Sequence, residues 1–98
     1  MNRIVALPVL AVLLLAGCGD DPPSACFATA DHAKYSDGKI TAMCGCAVRQ
    51  VSKWGVTDKD STLLAAAIRG KSVAADERAR AHKLGELWSM SMNSCRKA

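Results

Sequence analysis

Polarity along this chain changes register three times, and each change predicts a different kind of segment. Ile4 to Ala16 is an unbroken apolar run, preceded by Met1-Asn2-Arg3 and followed by the small pair Ala16-Gly17 and then Cys18. A bilayer-spanning helix needs about 20 apolar residues, so a run of thirteen is too short for a stable span. A positive start, a short apolar stretch and small residues before a break is the layout of an export signal. Asp20 to Ser24, with Pro22 and Pro23, then reads as a polar tether.

Beyond the tether the spacing of apolar residues is helical, and no segment alternates with a period of two. Ser24 predicts the N-cap of a short helix from about Ala25 to Lys34, with Phe27 and Ala30 on one side. Ser36-Asp37-Gly38 reads as a turn. A second helix is expected from about Lys39 to Trp54, stopping at Gly55, with Ile40, Met43, Cys44, Ala47, Val48, Val51 and Trp54 as its apolar face. Cys46 falls on the opposite side, with Ala42, Arg49 and Lys53. Thr57 followed by Asp60 reads as a variant capping box, opening a third helix through Leu63, Leu64, Ala67 and Ile68 that ends at Gly70. A last helix is expected from near Ala74 to Cys95, with Ala81, Leu84, Trp88 and Cys95 on one face and Leu87 and Met92 beside it. Asp76 and Glu77 suit its positive N-terminal end. Gly85 inside that helix predicts a kink or a close helix crossing. The expected fold is all-α, a small bundle of three to four short helices.

Cysteine content sharpens the picture. Five cysteines among 98 residues is a high fraction. Leu15-Ala16-Gly17-Cys18 resembles the lipobox of bacterial lipoproteins, a Leu-small-Gly/Ala-Cys pattern placed at the end of the apolar run. That resemblance implies that residues 1–17 are removed as a signal peptide. It also implies that Cys18 is the lipidation site, carrying a thioether-linked diacylglycerol and usually an acylated α-amine. Two or three acyl chains anchor stably where one does not. The competing reading is an ordinary signal peptide cut near Ala16-Gly17, releasing a soluble protein. With Gly19 directly after the cysteine and aspartates only at 20 and 21, the same resemblance mildly favours the outer membrane, facing the periplasm.

The expected organisation is therefore a signal at 1–17, a lipidated tether at 18–24 and a small helical domain at 25–98. Removing 17 of 98 residues leaves 81. A domain of that size has little stability to spare, and exported domains of this size commonly carry disulfides. Four cysteines remain for them: Cys26, Cys44, Cys46 and Cys95. Cys44 and Cys46 are too close in sequence to bond each other without strain. Cys44 shares an apolar face with the expected core and Cys46 points about 200° away from it. The expected pairing is thus Cys44–Cys95 with Cys26–Cys46, and Cys26–Cys44 with Cys46–Cys95 is the alternative. The order Cys, Cys-x-Cys, late Cys also resembles small cysteine-bearing helical domains of exported proteobacterial proteins, a likeness that implies no activity.

Charge excludes little. Loss of Arg3 leaves 12 basic against 9 acidic residues, a formal +3, enough for mild attraction to anionic headgroups. Neither nucleic acid nor nucleotide is an expected partner. Ala65 to Ser72 matches a relaxed phosphate-binding loop, but a helical Leu-Ala run leads into it where a strand is required. Zinc held by the four thiols, or copper held with Met43, Met90 and Met92, is the alternative to structural disulfides. Cys-x-Cys is not the spacing of a thioredoxin-type exchange site. His32 and His82 have no visible catalytic partner, and Arg78, Arg80 and Lys83 form a basic cluster suited to a solvated face or an acidic ligand. The expectation is a non-catalytic envelope module with no cofactor and no metal, attached to a membrane and docking an envelope protein partner. A soft-metal lipoprotein is the alternative.

Overall fold

The computed structural model describes residues 21–97, and the expected signal peptide and Cys18 lie outside the described residues. Four α-helices are found there: α1 (Pro22–Thr29), α2 (Asp37–Lys53), α3 (Ser61–Arg69) and α4 (Arg78–Arg96). Single 3₁₀ turns at Asp58–Asp60 and Ala75–Glu77 lead into α3 and α4. The described domain is all-α, with no strand among its residues, as the periodicity implied.

Local chemistry sets the ends of each helix. α1 begins three residues earlier than the Ser24 cap would place it. Asp21 is the N-cap, its carboxylate accepting from the Ser24 N–H at 3.2 Å, and the prolines occupy the first two helical positions. Proline is well suited there because the first helical N–H groups have no intrahelical acceptor. Three residues of the expected tether at 18–24, Pro22 to Ser24, are therefore helix. α1 also stops early, at Thr29 rather than Lys34. Asp31 Oδ1 accepts from the N–H groups of Ala33 and Lys34, both at 3.1 Å. That local turn takes the backbone donors a continuing helix would use. Ser36 then caps α2, accepting from Lys39 N at 3.2 Å, so Asp37 and Gly38 belong to the helix and not to a separate turn.

α2 and α3 end alike. At φ +96° and +71°, Gly55 and Gly70 adopt the left-handed conformation that side chains disfavour. Each lets the next residue bond back into the helix, Val56 N to Val51 O at 3.0 Å and Lys71 N to Ala66 O at 2.9 Å. The first of these turns carries Val56 into the core. Thr57 and Asp60 form the expected capping box, which supports the 3₁₀ turn before α3 and not the first turn of α3 itself.

In the bundle, α1 and α4 each pack on both α2 and α3. Between them lie Ile40, Met43, Cys44, Ala47 and Val51 of α2, Leu64 of α3, and Leu84, Trp88 and Cys95 of α4. The wheel of α2 is reproduced with one exception: Trp54 sits past the last turn and is 43% exposed. The α2–α4 contact is close because small residues line it. Ser91 is fully buried and its hydroxyl donates to Ala47 O at 3.0 Å, with Gln50 Oε1 a second acceptor at 3.3 Å. A buried hydroxyl left without a partner would cost about 1–3 kcal/mol, so this bond fixes the rotation of α4 against α2.

Gly85 produces no break in α4, which runs unbroken from Arg78 to Arg96. It marks the crossing with α3: a methyl group placed there would lie 3.9 Å from Ala67 Cβ, an ordinary contact. Gly85→Ala is therefore expected to stabilise the domain by about 0.5–1 kcal/mol through helix propensity. Thermal melting of the oxidised domain reads this as a rise of several degrees; a fall would mean that α3 and α4 pass closer than this geometry allows.

Candidate functional site

Two disulfides organise the domain, and both begin on α2. Cys26 of α1 bonds Cys44 with a Cα–Cα distance of 5.9 Å, and Cys46 bonds Cys95 of α4, also at 5.9 Å. The count of two bridges matches the sequence expectation, whereas the favoured connectivity is corrected to the alternative. Cys44–Cys95 and Cys26–Cys46 do not form. The reason lies in where the two neighbours of α2 approach its wheel. At 100° per residue, the buried positions Met43, Ala47, Ile40, Val51 and Cys44 span one arc. Cys44 closes that arc on one side. Cys46 lies about 60° beyond Met43 on the other, beside Gln50, and is half-buried rather than in solvent. α4 approaches along this second edge, where Ser91 and Cys95 meet Ala47 and Gln50. α1 covers the first edge. Cys46 is thus at the seam between faces, and opposition to Cys44 made it look outward.

With all four sulfurs bonded in pairs, none is a thiolate available to a metal. Met92 Sδ lies 4.0 Å from Cys26 Sγ, and Met43 is buried in the core. Those two methionines line a cavity of about 200 Å³ with Tyr35 and Trp88. Met90 points elsewhere and is 57% exposed, so the three methionines do not converge. Among the described residues there is no group of three or more His, Cys, Asp or Glu side chains arranged to hold a metal ion.

His32 and His82 do different work. His32 Nε2 donates to Phe27 O at 2.8 Å, its Nδ1 lies 3.4 Å from Asp37 Oδ1, and its ring stands edge-on to Phe27 at 4.8 Å. It closes the C-terminal end of α1, satisfies a terminal carbonyl and ties that end to the start of α2. His82 lies on the surface, 3.5 Å from Glu86 one turn along α4.

The basic cluster is divided. Arg80 grips Asp60 with two bonds, Nη2–Oδ2 at 2.8 Å and Nε–Oδ1 at 3.3 Å, while Arg78 and Lys83 are exposed. Asp60 also accepts from Thr57 N at 3.0 Å. Hydrogen bonding by Arg80, then by the Thr57 backbone, holds the Asp60 carboxyl below its ordinary value near 3.8, and the Arg80 guanidinium is correspondingly raised. The pair forms one wall of an open cleft of about 540 Å³ between α3 and the turn before α4, with Lys59, Asp76 and Glu77 around it. It locks the α3 entry to the α4 entry. The segment resembling a phosphate-binding loop is the end of α3, with Lys71 and Ser72 exposed after the Gly70 cap.

Sequence reasoning missed Ser91, Gln50, His32 and the Asp60–Arg80 pair. The first is a serine at a core position of the α4 wheel, which can be read from its spacing to Leu84, Trp88 and Cys95. Gln50 and the Asp60–Arg80 pair depend on contacts between segments remote in the chain, and His32 on how the chain turns back on the end of α1, five residues from either partner. Comparison with known proteins found no matching family model, no similar curated protein and no similar solved structure.

Two outcomes are expected. Restricting the unfolded chain over 49 residues is worth about 4 kcal/mol and over 18 about 3 kcal/mol. Replacing Cys46 and Cys95 together by alanine should therefore lower urea stability more than replacing Cys26 and Cys44, and the reverse order would show that local packing outweighs loop length. Asp60 has a lowered carboxyl value in the fold, so its stabilisation is complete above about 3.8 and is lost as the pH falls through the folded value. The stability gap between the native chain and Asp60→Asn should accordingly be widest at neutral pH and shrink in urea melts taken at successively lower pH below 3.8.

Proposed function

We propose that this chain is a bacterial envelope lipoprotein, cut before Cys18, acylated on that residue and held at a membrane facing the periplasm. Its domain acts there without catalysis, as an interaction or structural module. The observation that carries the reading is the fate of the cysteines. Cys26, Cys44, Cys46 and Cys95 are all consumed in disulfides. The one cysteine left over, Cys18, is the one that ends Leu15-Ala16-Gly17-Cys18. A pair of structural disulfides suits an oxidising compartment, and a short apolar run ending in a lipobox-like motif supplies a route there.

A membrane attachment of this kind does not require a span in the domain, and no helix among the described residues is long and apolar enough to cross a bilayer. The absence of free thiolates in the bonded framework weighs against the soft-metal alternative. Two polar contacts in the described domain join one segment to another: His32 joins α1 to α2, and Asp60 with Arg80 joins α3 to α4. Such ties stiffen a scaffold, which suits a module whose surface is its working part.

Intact mass measurement of the full-length chain, expressed in a bacterium that processes lipoproteins, tests the proposal. The expected product lacks residues 1–17, carries a diacylglyceryl group on Cys18 with or without an N-acyl chain, and contains no free thiol. A globomycin block should accumulate the uncut form, and Cys18→Ala should do the same. A soluble product cut near Ala16 with an unmodified Cys18 thiol would overturn it.

A further inference from the structure

α1 is an apolar helix on more than its buried side. Pro22, Ala25 and Cys26 face the core, while Pro23, Ser24, Phe27 and Ala28 lie on the opposite arc and line a shallow surface patch. Phe27 is 37% exposed even with His32 against its ring. No residue of α1 is charged. Two polar groups at its ends are taken up by the helix's own backbone: the Thr29 hydroxyl donates to Ala25 O at 2.8 Å, and the Asp21 carboxylate takes the Ser24 N–H at 3.2 Å, which leaves Ser24 as the one polar side chain on the outward arc. A helix that is mostly apolar around its circumference normally has cover on every side, and the described residues provide cover on one.

Chain length says what lies next to the other side. We infer that the outward face of α1, formed by Pro23, Ser24, Phe27 and Ala28, rests on the lipid surface to which Cys18 is anchored. This inference depends on the lipoprotein reading above. From Cys18 to Pro22 the chain can span at most about 14 Å, little more than the 10–12 Å diameter of a helix with its side chains. An acylated Cys18 sits at the membrane boundary, so α1 starts within about one helix diameter of it. Apolar helix faces settle about 5–10 Å into the headgroup region, within that reach. The anchor makes docking intramolecular, so a patch too small to bind a membrane by itself becomes sufficient. Aromatic side chains such as Phe27 are favoured at that depth.

The test uses the full-length acylated protein reconstituted into phosphatidylethanolamine–phosphatidylglycerol vesicles, with Phe27→Trp and, separately, Ala28→Trp as reporters on the same face. Emission of the added tryptophan is obtained by difference from the unsubstituted protein, and thermal melting confirms that each variant folds. Its accessibility to iodide should fall by about twofold or more relative to the unacylated Cys18→Ser mature domain in solution, and lipids brominated near the carbonyl should quench it. Equal iodide accessibility in both settings, without bromolipid quenching, overturns the inference. The intact mass of the same sample separates the two failures. Acylated Cys18 with an accessible reporter sinks the docking face alone, and unacylated Cys18 sinks the lipoprotein reading and the docking face with it.

Discussion

α2 is bonded covalently on both flanks, and the rest of the domain is arranged around that constraint. Cys44 holds α1 against one edge of its buried face and Cys46 holds α4 against the other. Only one residue separates the two cysteines, and on a helix that spacing sends them about 160° apart by the shorter way round. A single turn of α2 thereby fixes the positions of two helices that are remote from each other in sequence. Among the described helices, α3 is the one without a bridge. It is held by Leu64 in the core, by the close passage of Ala67 beside Gly85, and by the Asp60–Arg80 pair at its entry.

The need for such bonds follows from the size and composition of the core. The largest fully buried side chains are Ile40, Leu64, Leu84 and Val51, with Ser91 among them. A domain this small recovers only a modest hydrophobic gain against the entropy of ordering its chain. Cross-links act on the other side of that balance by restricting the unfolded ensemble. They also permit small residues at the α2–α4 contact, where Ala47 and Ser91 bring the backbones together.

In the proposed reading, function is distributed along the length of the chain. The covalent attachment point proposed at Cys18 lies before the domain, the disulfides lie within it, and α1 stands between the two. That position suits the double character of α1: it covers the core with Pro22, Ala25 and Cys26, and it presents Phe27 outward. The same helix carries Cys26, so the segment closest to the proposed membrane is also the one covalently fixed to α2.

Much of the fold was legible in the order of residues. Helical periodicity located all four helices, Gly55 and Gly70 marked two of their ends, and an even number of cysteines beyond Cys18 indicated two bridges. These features are local, and backbone sterics and side-chain spacing determine them wherever the chain goes. The ends of α1 were misplaced because Asp21, followed by two prolines, takes the cap in place of Ser24, and because Asp31 captures the next backbone donors at the other end, choices that spacing does not rank. Tertiary structure alone decided which cysteine meets which, what His32 and Ser91 bond to, and that Phe27 and Trp54 face outward. The cysteine pairs, the Ser91 bond and the outward face of Phe27 depend on the edge along which one helix approaches another, while His32 and Trp54 depend on how the chain turns where a helix ends; a helical wheel gives the angle of a side chain but neither of these directions.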